Sequence, residues 1–397
     1  MKYLVLIPDG SADEHRPELG GRTPLQAAKT PNFDRLARSG TIGLARTIPE
    51  GFPPGSDVAN LCVLGYDPHA YYTGRAPLEA ASLGISLRTG DVAFRCNLVC
   101  IDGGLMRDFA AGHIETEAAA KLIGYLQKNL GGGKANFFPG LSYRHIMVSN
   151  GLALKAKCTP PHDITGQPFE PHLPKGEESG WLRGIMEESA RLLGGHPINE
   201  QRRLEGKLPA NMVWLWGQGT APSMPTFRER FGLEGSVISA VDLVKGLGKY
   251  AGLEVVEVPG ATGWLDTDYA AKARYALKQL EKKDFVYVHV EAPDEASHSG
   301  DSPAKVEAIE RFDTLLLGNL LEGLAASNDY RILIVPDHAT PLGIRTHTSE
   351  PVPFVSYDPA DVSTKEQSFD EDSAAAAELE FERGWDLMGW FLRQEKK

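Results

Sequence analysis

Three sets of metal-ligand side chains stand where short apolar runs end: Asp9 after YLVLIP, Asp294 and His298 after FVYVHVEAP, and Asp337 with His338 after RILIVP. His347, in the loop RTHTSEPVP, and Ser56, in PPGSDVANL, join them. Mixed carboxylate and imidazole donors suit manganese or zinc better than calcium, and they also accept magnesium. Two such ions would hold the attacking and leaving oxygens of an in-line phosphoryl transfer. The donor set therefore points to a two-metal hydrolase or phosphotransferase.

Spacing adds detail. Asp294 and His298 are four residues apart, so a helical turn puts them on one face, able to share one ion. Asp337 and His338 are adjacent, and in extended or loop backbone they reach two ions or a single ion at the strand tip. A serine at a helix N-terminus, ligated to a divalent cation, loses its proton readily and becomes a nucleophile. Each feature has a plainer reading: a turn at Asp9, a surface pair at Asp294 and His298, a strand-ending turn at Asp337, a loop histidine at 347, a cap at Ser56. These plain readings would all have to hold together, and three of them would have to fall at strand ends.

The elements that position these residues can be read from pattern. Runs of about five or six β-branched and aromatic residues are buried parallel strands, and in open α/β sheets functional groups collect beyond the carboxyl ends of such strands. A helix is predicted around residues 31–39, with Thr30 as cap and Pro31 in its first turn. In another, with Ser302 as cap and Pro303 in its first turn, Val306, Ile309, Phe312, Leu316 and Leu320 form one stripe. Residues 88–208 differ in texture, with GGGK at 131–134, a Pro-rich stretch at 159–174 and the polar run NEQRRLEGK. Strand–helix alternation resumes at NMVWLW. The reading is an α/β core built from 1–87 and 209–397, with an inserted α+β domain at 88–208.

Composition excludes other classes. The chain has 397 residues and a net charge of -12, which argues against nucleic-acid binding, since phosphate backbones are held by excess Lys and Arg. No stretch approaches the roughly 18 apolar residues of a membrane span, and MKYLVLIPDG is too short for a secretory signal, so a cytoplasmic protein is expected. Cys62, Cys96, Cys100 and Cys158 read as free thiols in a reducing compartment. GGGKA at 131–135 lacks the frame of a P-loop and reads as a turn after a 115–130 helix.

The order Asp9, Gly55-Ser56-Asp57, Asp294-x-x-x-His298, Asp337-His338 and a final loop His347 resembles the metal site of the alkaline phosphatase superfamily. Within it, PDGSAD, TPLQAAKTPNFDRLA, GSDVANLCVLGYDP, YYTGRAPLEA, HPINEQRRLEGK, AVDLVKGL and VPGATG are similar to the archaeal-type cofactor-independent phosphoglycerate mutases, over nearly the whole chain. The resemblance implies an alkaline-phosphatase-like three-layer core with a mostly parallel sheet. It also implies an isomerase of glycolysis that interconverts 3- and 2-phosphoglycerate through a phosphoserine, with two divalent metals and no 2,3-bisphosphoglycerate. Ser56 is then the nucleophile. Asp9, Ser56, Asp337 and His338 surround one metal, and Asp294, His298 and His347 the other.

The insertion would close over a small phosphorylated hydroxy acid. Arg95, His113, Arg144 and His162 are its candidate substrate contacts, with Lys245 from the core. One departure bears on substrate. Where those mutases carry arginine in an AGR-I-S-T-E stretch, this chain has His113 in AGHIETE, a titratable ring in place of a bidentate anion clamp. The alternative is a phosphotransferase of the same superfamily with another small substrate, such as a homoserine kinase.

Overall fold

The computed structural model describes residues 1–362 and 364–393. The chain opens with β1 (Lys2–Pro8), buried from Leu4 onward, and continues through β2 (Thr41–Ala45). It then builds a second set of strands: β3 (Val92–Asp102), β4 (Leu105–Asp108), β5 (Ala135–Phe138), β6 (Arg144–Ser149) and β7 (Met212–Gly219). Afterwards it returns to the first set with β8 (Gly235–Ile238), β9 (Glu254–Val255), β10 (Phe285–Val290), β11 (Tyr330–Ile334), β12 (Val352–Tyr357) and β13 (Glu380–Phe381).

The first set forms one sheet in the order β13-β2-β12-β11-β1-β10-β8-β9. β1 lies parallel to both β10 and β11, β10 to β8, and β8 to β9, while β12 runs antiparallel to its neighbours. β1, β10 and β11 therefore end at the same edge, which places Asp9, Asp294 and Asp337 together. Side chains alternate across the sheet. Leu4, Leu6, Val286, Val288, Ile332 and Ile334 face a core shared with Phe33, Leu36, Ala276, Phe312 and Leu320 from helices. On the opposite face the Tyr287 hydroxyl donates to Asn60 Oδ1 at 2.6 Å, from the Ser56–Val63 helix. There too Gly248, in the Asp242–Tyr250 helix, lies so close to Val237 that a Cβ would stand 2.4 Å from a methyl. Helices thus cover both faces of a mostly parallel sheet, the expected α/β arrangement.

Two helix starts differ from expectation. Thr30 makes no side-chain cap on Pro31–Ser39. Instead buried Asp313 accepts the backbone N–H of Phe33 at 2.7 Å and of Asn32 at 3.3 Å, so a distant carboxylate satisfies the first turn. Asp313 lies in a π-helical turn, Phe312–Leu317, that interrupts the long helix read from the Val306–Leu320 stripe. The cap of that long helix is Asp301, which accepts from Ala304 N at 2.9 Å, with Ser302 already in the first turn.

The chain divides into two units, Met1–Tyr72 with Ser223–Lys397, and Thr73–Pro222. The second is wider at both ends than the 88–208 read from texture. The Arg75–Ser82 helix buries Ala76 and Ala80 against Ala93, Ile146 and Val148 of its sheet. NMVWLW, read as the return to the first sheet, is β7, which pairs antiparallel with β3. β3 is flanked by β6 and β7, and every pairing in this sheet is antiparallel. On its other face Phe94, Cys96, Leu98 and Trp214 pack with Leu122, Leu126, Leu182 and Met186 of the Thr116–Leu130 and Ser179–Gly194 helices. All four cysteines are free thiols.

Candidate metal centre

Asp9 leaves β1 with its backbone N–H bonded to Val290 O at 3.0 Å, so the ends of β1 and β10 are laced together beside the cluster. The next residue must be glycine. Gly10 has φ 63°, and a Cβ there would stand 2.6 Å from both Asp294 Oδ1 and Thr340 Oγ1. Asp294 and His298 sit in the Ala292–Ser299 helix directly after β10, with Nε2 of His298 3.1 Å from Asp294 Oδ2. His347 Nε2 lies 3.5 Å from Asp294 Oδ1 and 3.0 Å from His298 Nε2. His298 Nδ1 donates to Arg345 O at 2.9 Å; burial works against charge on the ring, but its hydrogen bonds to Asp294 and Arg345 outweigh it and lift the pKa to about 9.

On the other side, Asp337 Oδ2 accepts from Asn60 Nδ2 at 2.7 Å, and His338 Nε2 lies 3.5 Å from both Asp9 Oδ1 and Asp337 Oδ2. Adjacent in sequence, Asp337 and His338 converge on one place. Ser56 is the first residue of its helix, after Gly55, and its Oγ stands 3.0 Å from His338 Nε2. Thr340 Oγ1 donates to Asp294 Oδ1 at 2.6 Å and so accepts from His338 Nδ1 at 3.1 Å. That network presents His338 Nε2 to Ser56 as a bare lone pair.

The electrostatics call for cations. Asp9, Asp294 and Asp337 are buried together. Burial, reinforced by the charges of Asp337 and Asp294, raises the pKa of Asp9 well above the usual carboxylate range. Burial pushes Asp294 the same way, but hydrogen bonds from His298 and His347 hold it well below. Burial lowers His338 and keeps its ring neutral. Asp9 Oδ1 and His289 Nε2 are buried with no hydrogen-bond partner. Donor atoms of Asp294, His298 and His347, of Asp9, His289 and Asp337, and of Asp9, Asp294 and His338 each lie within 4.8 Å of one another. Clustered carboxylates, imidazoles and unsatisfied buried polar atoms fit divalent metal ions.

All seven residues read as metal donors or nucleophile are thus brought together. Sequence reasoning missed His289, Asn60, Thr340 and Tyr287. His289 carried a usable signal, a histidine at the fifth position of the otherwise apolar FVYVHV. Buried Lys305 was also missed. Its Nζ reaches Asp13 Oδ2 at 2.7 Å and Thr340 O at 2.9 Å, tying the loop after β1 to the loop after β11.

The candidate substrate contacts divide. Lys245 lies in the first unit, paired with Glu257 at 2.8 Å. Arg95, His113, Arg144 and His162 all lie in the second unit and form part of one chain of contacts. The Arg95 guanidinium is 4.2 Å from the Trp216 ring centroid, and its Nε donates to buried Glu79 at 2.9 Å. His162 packs edge-on to Trp216 at 5.3 Å and to Phe109 at 6.1 Å, and Phe109 packs on Tyr143. His113, at φ 51°, packs on Tyr143 at 5.7 Å, and the Arg144 guanidinium lies 5.8 Å from the same ring. Burial raises the pKa of Glu79, but Arg95, Arg75 and Arg144 outweigh it and hold the carboxylate ionised.

Comparison with known proteins accounts for both halves of this description. A family model described as 2,3-bisphosphoglycerate-independent phosphoglycerate mutase matches residues 37–199, and one described as type I phosphodiesterase / nucleotide pyrophosphatase matches 167–343. A 2,3-bisphosphoglycerate-independent phosphoglycerate mutase from Methanosarcina acetivorans is 51% identical over 99% of this chain and 100% of its own length. One from Methanothrix thermoacetophila is 53% identical over 98% of each. Among solved structures, a Pyrococcus horikoshii protein superposes with a TM-score of 0.83 at 31% identity, covering 100% of this chain and 98% of that one. Identity of this order across the full length leaves one conclusion: the chain belongs to the family of 2,3-bisphosphoglycerate-independent phosphoglycerate mutases.

Proposed function

We propose that this chain interconverts 3- and 2-phosphoglycerate, without 2,3-bisphosphoglycerate, by passing the phosphoryl group through Ser56. The observation that carries the reading is Ser56 Oγ, 3.0 Å from the bare Nε2 of His338 at the edge of three buried carboxylates. Asp294, His298 and His347 would hold one divalent cation, and Asp9, Ser56, Asp337 and His338 the other. Manganese suits the mixed donors best. When bound, the cations supply positive charge that offsets the phosphate ester and makes the serine hydroxyl more acidic.

Ser56 gives up its proton, and its Oγ attacks phosphorus in line. The ester P–O bond breaks as the Oγ–P bond forms, and the departing glycerate oxygen takes up a proton. Glycerate then turns, and its other hydroxyl takes the phosphoryl group back from Ser56. His338 and Asn60 keep Ser56 in place: the ring lies against the hydroxyl, and Asn60 Nδ2 donates to the Ser56 carbonyl at 2.8 Å. The second unit has the role of binding substrate and excluding water, since water would turn a mutase into a phosphatase. Arg75, Arg95 and Arg144 around one carboxylate give it the positive field an anionic hydroxy acid requires. The setting we assign is the cytoplasm, in glycolysis or gluconeogenesis.

The test is direct. Purified protein with manganese and 3-phosphoglycerate, and no bisphosphoglycerate, is expected to form 2-phosphoglycerate that enolase consumes. No turnover there, with ADP formed from ATP and homoserine, would replace the mutase reading with a kinase.

A further inference from the structure

We propose that His289 is an additional nitrogen ligand on the Asp9–Asp337 side of the metal centre. The proposal rests on the metal-dependent function above and deepens it. β10 places the ring there: His289 is in register with Ile7, so its side chain lies on the same sheet face as Ile7 and as Asp9 two residues on. Lys272 Nζ, itself buried, donates to the His289 carbonyl at 3.0 Å and fixes the backbone at this point.

The other role open to a buried histidine here is to orient Asp9 by a hydrogen bond. The geometry is against it. Nε2 stands 3.0 Å from Asp9 Oδ2 without a hydrogen bond forming between them, and it has no other hydrogen-bond partner. Nδ1, in contrast, lies 3.3 Å from Ser239 Oγ. That oxygen already accepts the Val241 N–H at 3.0 Å and has a second lone pair to accept Nδ1–H. A ring that donates from Nδ1 presents a bare lone pair at Nε2. Here that lone pair faces the carboxylates of Asp9 and Asp337, with all three donor atoms within 4.8 Å. A fully buried lone pair against two carboxylates is costly, and a cation between them removes the cost.

The test uses the whole chain, labelled with 15N-histidine and titrated with Zn(II) as a diamagnetic probe. With zinc bound, His289 Nε2 is expected to carry no proton and to resonate as a metal-bound nitrogen, while Nδ1 keeps its proton. Two zinc ions bound with Nε2–H retained would overturn the ligand assignment alone. No zinc bound at all would overturn it together with the metal-dependent reading. As a second measurement, His289→Gln is expected to weaken zinc at one site by about 10- to 100-fold or more, with the other site and the melting of the metal-free protein as in the parent. Parent affinity at both sites would sink the proposal. If the variant does not fold, the spectrum of the unaltered protein decides.

Discussion

In the first unit three carboxylates, Asp9, Asp294 and Asp337, are buried side by side among imidazoles. In the second, three guanidinium groups, Arg75, Arg95 and Arg144, act on one buried carboxylate, Glu79. The imbalances have opposite sign and call for opposite partners: metal cations for the first, an anion for the second. They also differ in how they are held. The donors of the first cluster come from strand ends, one short helix and the loops tied to them, whereas the second mixes Arg95 and Arg144 on β3 and β6 with His162 in a short 3-10 helix and His113 in a turn. The metal donors thus gather at one end of a sheet, while His113, where the sequence departs from the family pattern, sits in a turn.

The sharpest way to break this comparison is at the nucleophile. Ser56→Ala should lower mutase turnover by about 10⁶-fold, the scale of removing a covalent nucleophile from a working constellation, while calorimetry still detects two bound metals. Substantial turnover in that variant would remove Ser56 from the mechanism and leave the first unit as a metal site only. Chelation should follow in size. Two sites at a hundredfold excess of metal over Kd contribute together about 5 kcal/mol, so stripping them should lower the melting temperature by several degrees. Hydrogen exchange would localise the loss. Protection should fall around Asp9–Ala12, Asp294–His298 and His338–Thr348, and persist along β3. Equal loosening of both units would mean that the metals stabilise more than the cluster that holds them.

The donors of the first unit were legible because strand pattern and strand end are both local signals: an apolar run, then Asp9, Asp294 or Asp337. His289 was not, because it stands inside such a run, and the alternation that identifies a strand does not reveal which neighbour a side chain meets. Asn60 and Thr340 are ordinary residues whose role depends on Asp337, Asp294 and His338 being brought to them. The unit boundary was misplaced for a related reason. NMVWLW reads as a strand correctly, but nothing in six apolar residues says whether they pair with β3 or with the other sheet. Thr30 likewise has the right residue type for a cap, and Asp313, remote in sequence, takes the role instead.

Buried ion pairs allow the two units to be compared on equal terms. Lys305→Met strands the Asp13 carboxylate, whose partner is fully buried, and should cost about 3–5 kcal/mol. It should also lower turnover, because Lys305 ties the two loops that bear Asp9 and Asp337. Arg95→Met should cost less, about 1.5–3 kcal/mol, the worth of a hydrogen bond to a charged group, because Arg75 stays 3.1 Å from Glu79. Chemical denaturation of the two variants against the parent gives both values, and the reverse order would show that the second unit is the more rigidly held.

The smallest expected effect is the most informative about substrate. His113 packs edge-on to Tyr143 with its backbone at positive φ, in the same string of contacts as Arg144, His162 and Arg95. A guanidinium there would add bidentate, permanently charged recognition of phosphate or carboxylate where the imidazole offers a single ring nitrogen to the ligand. His113→Arg should lower the KM for 3-phosphoglycerate by about 3- to 10-fold, on the order of 1 kcal/mol, with a smaller change in kcat. A KM that rises instead would mean that this position is shaped for the ring, and that the substrate the second unit selects differs from phosphoglycerate at the group facing His113.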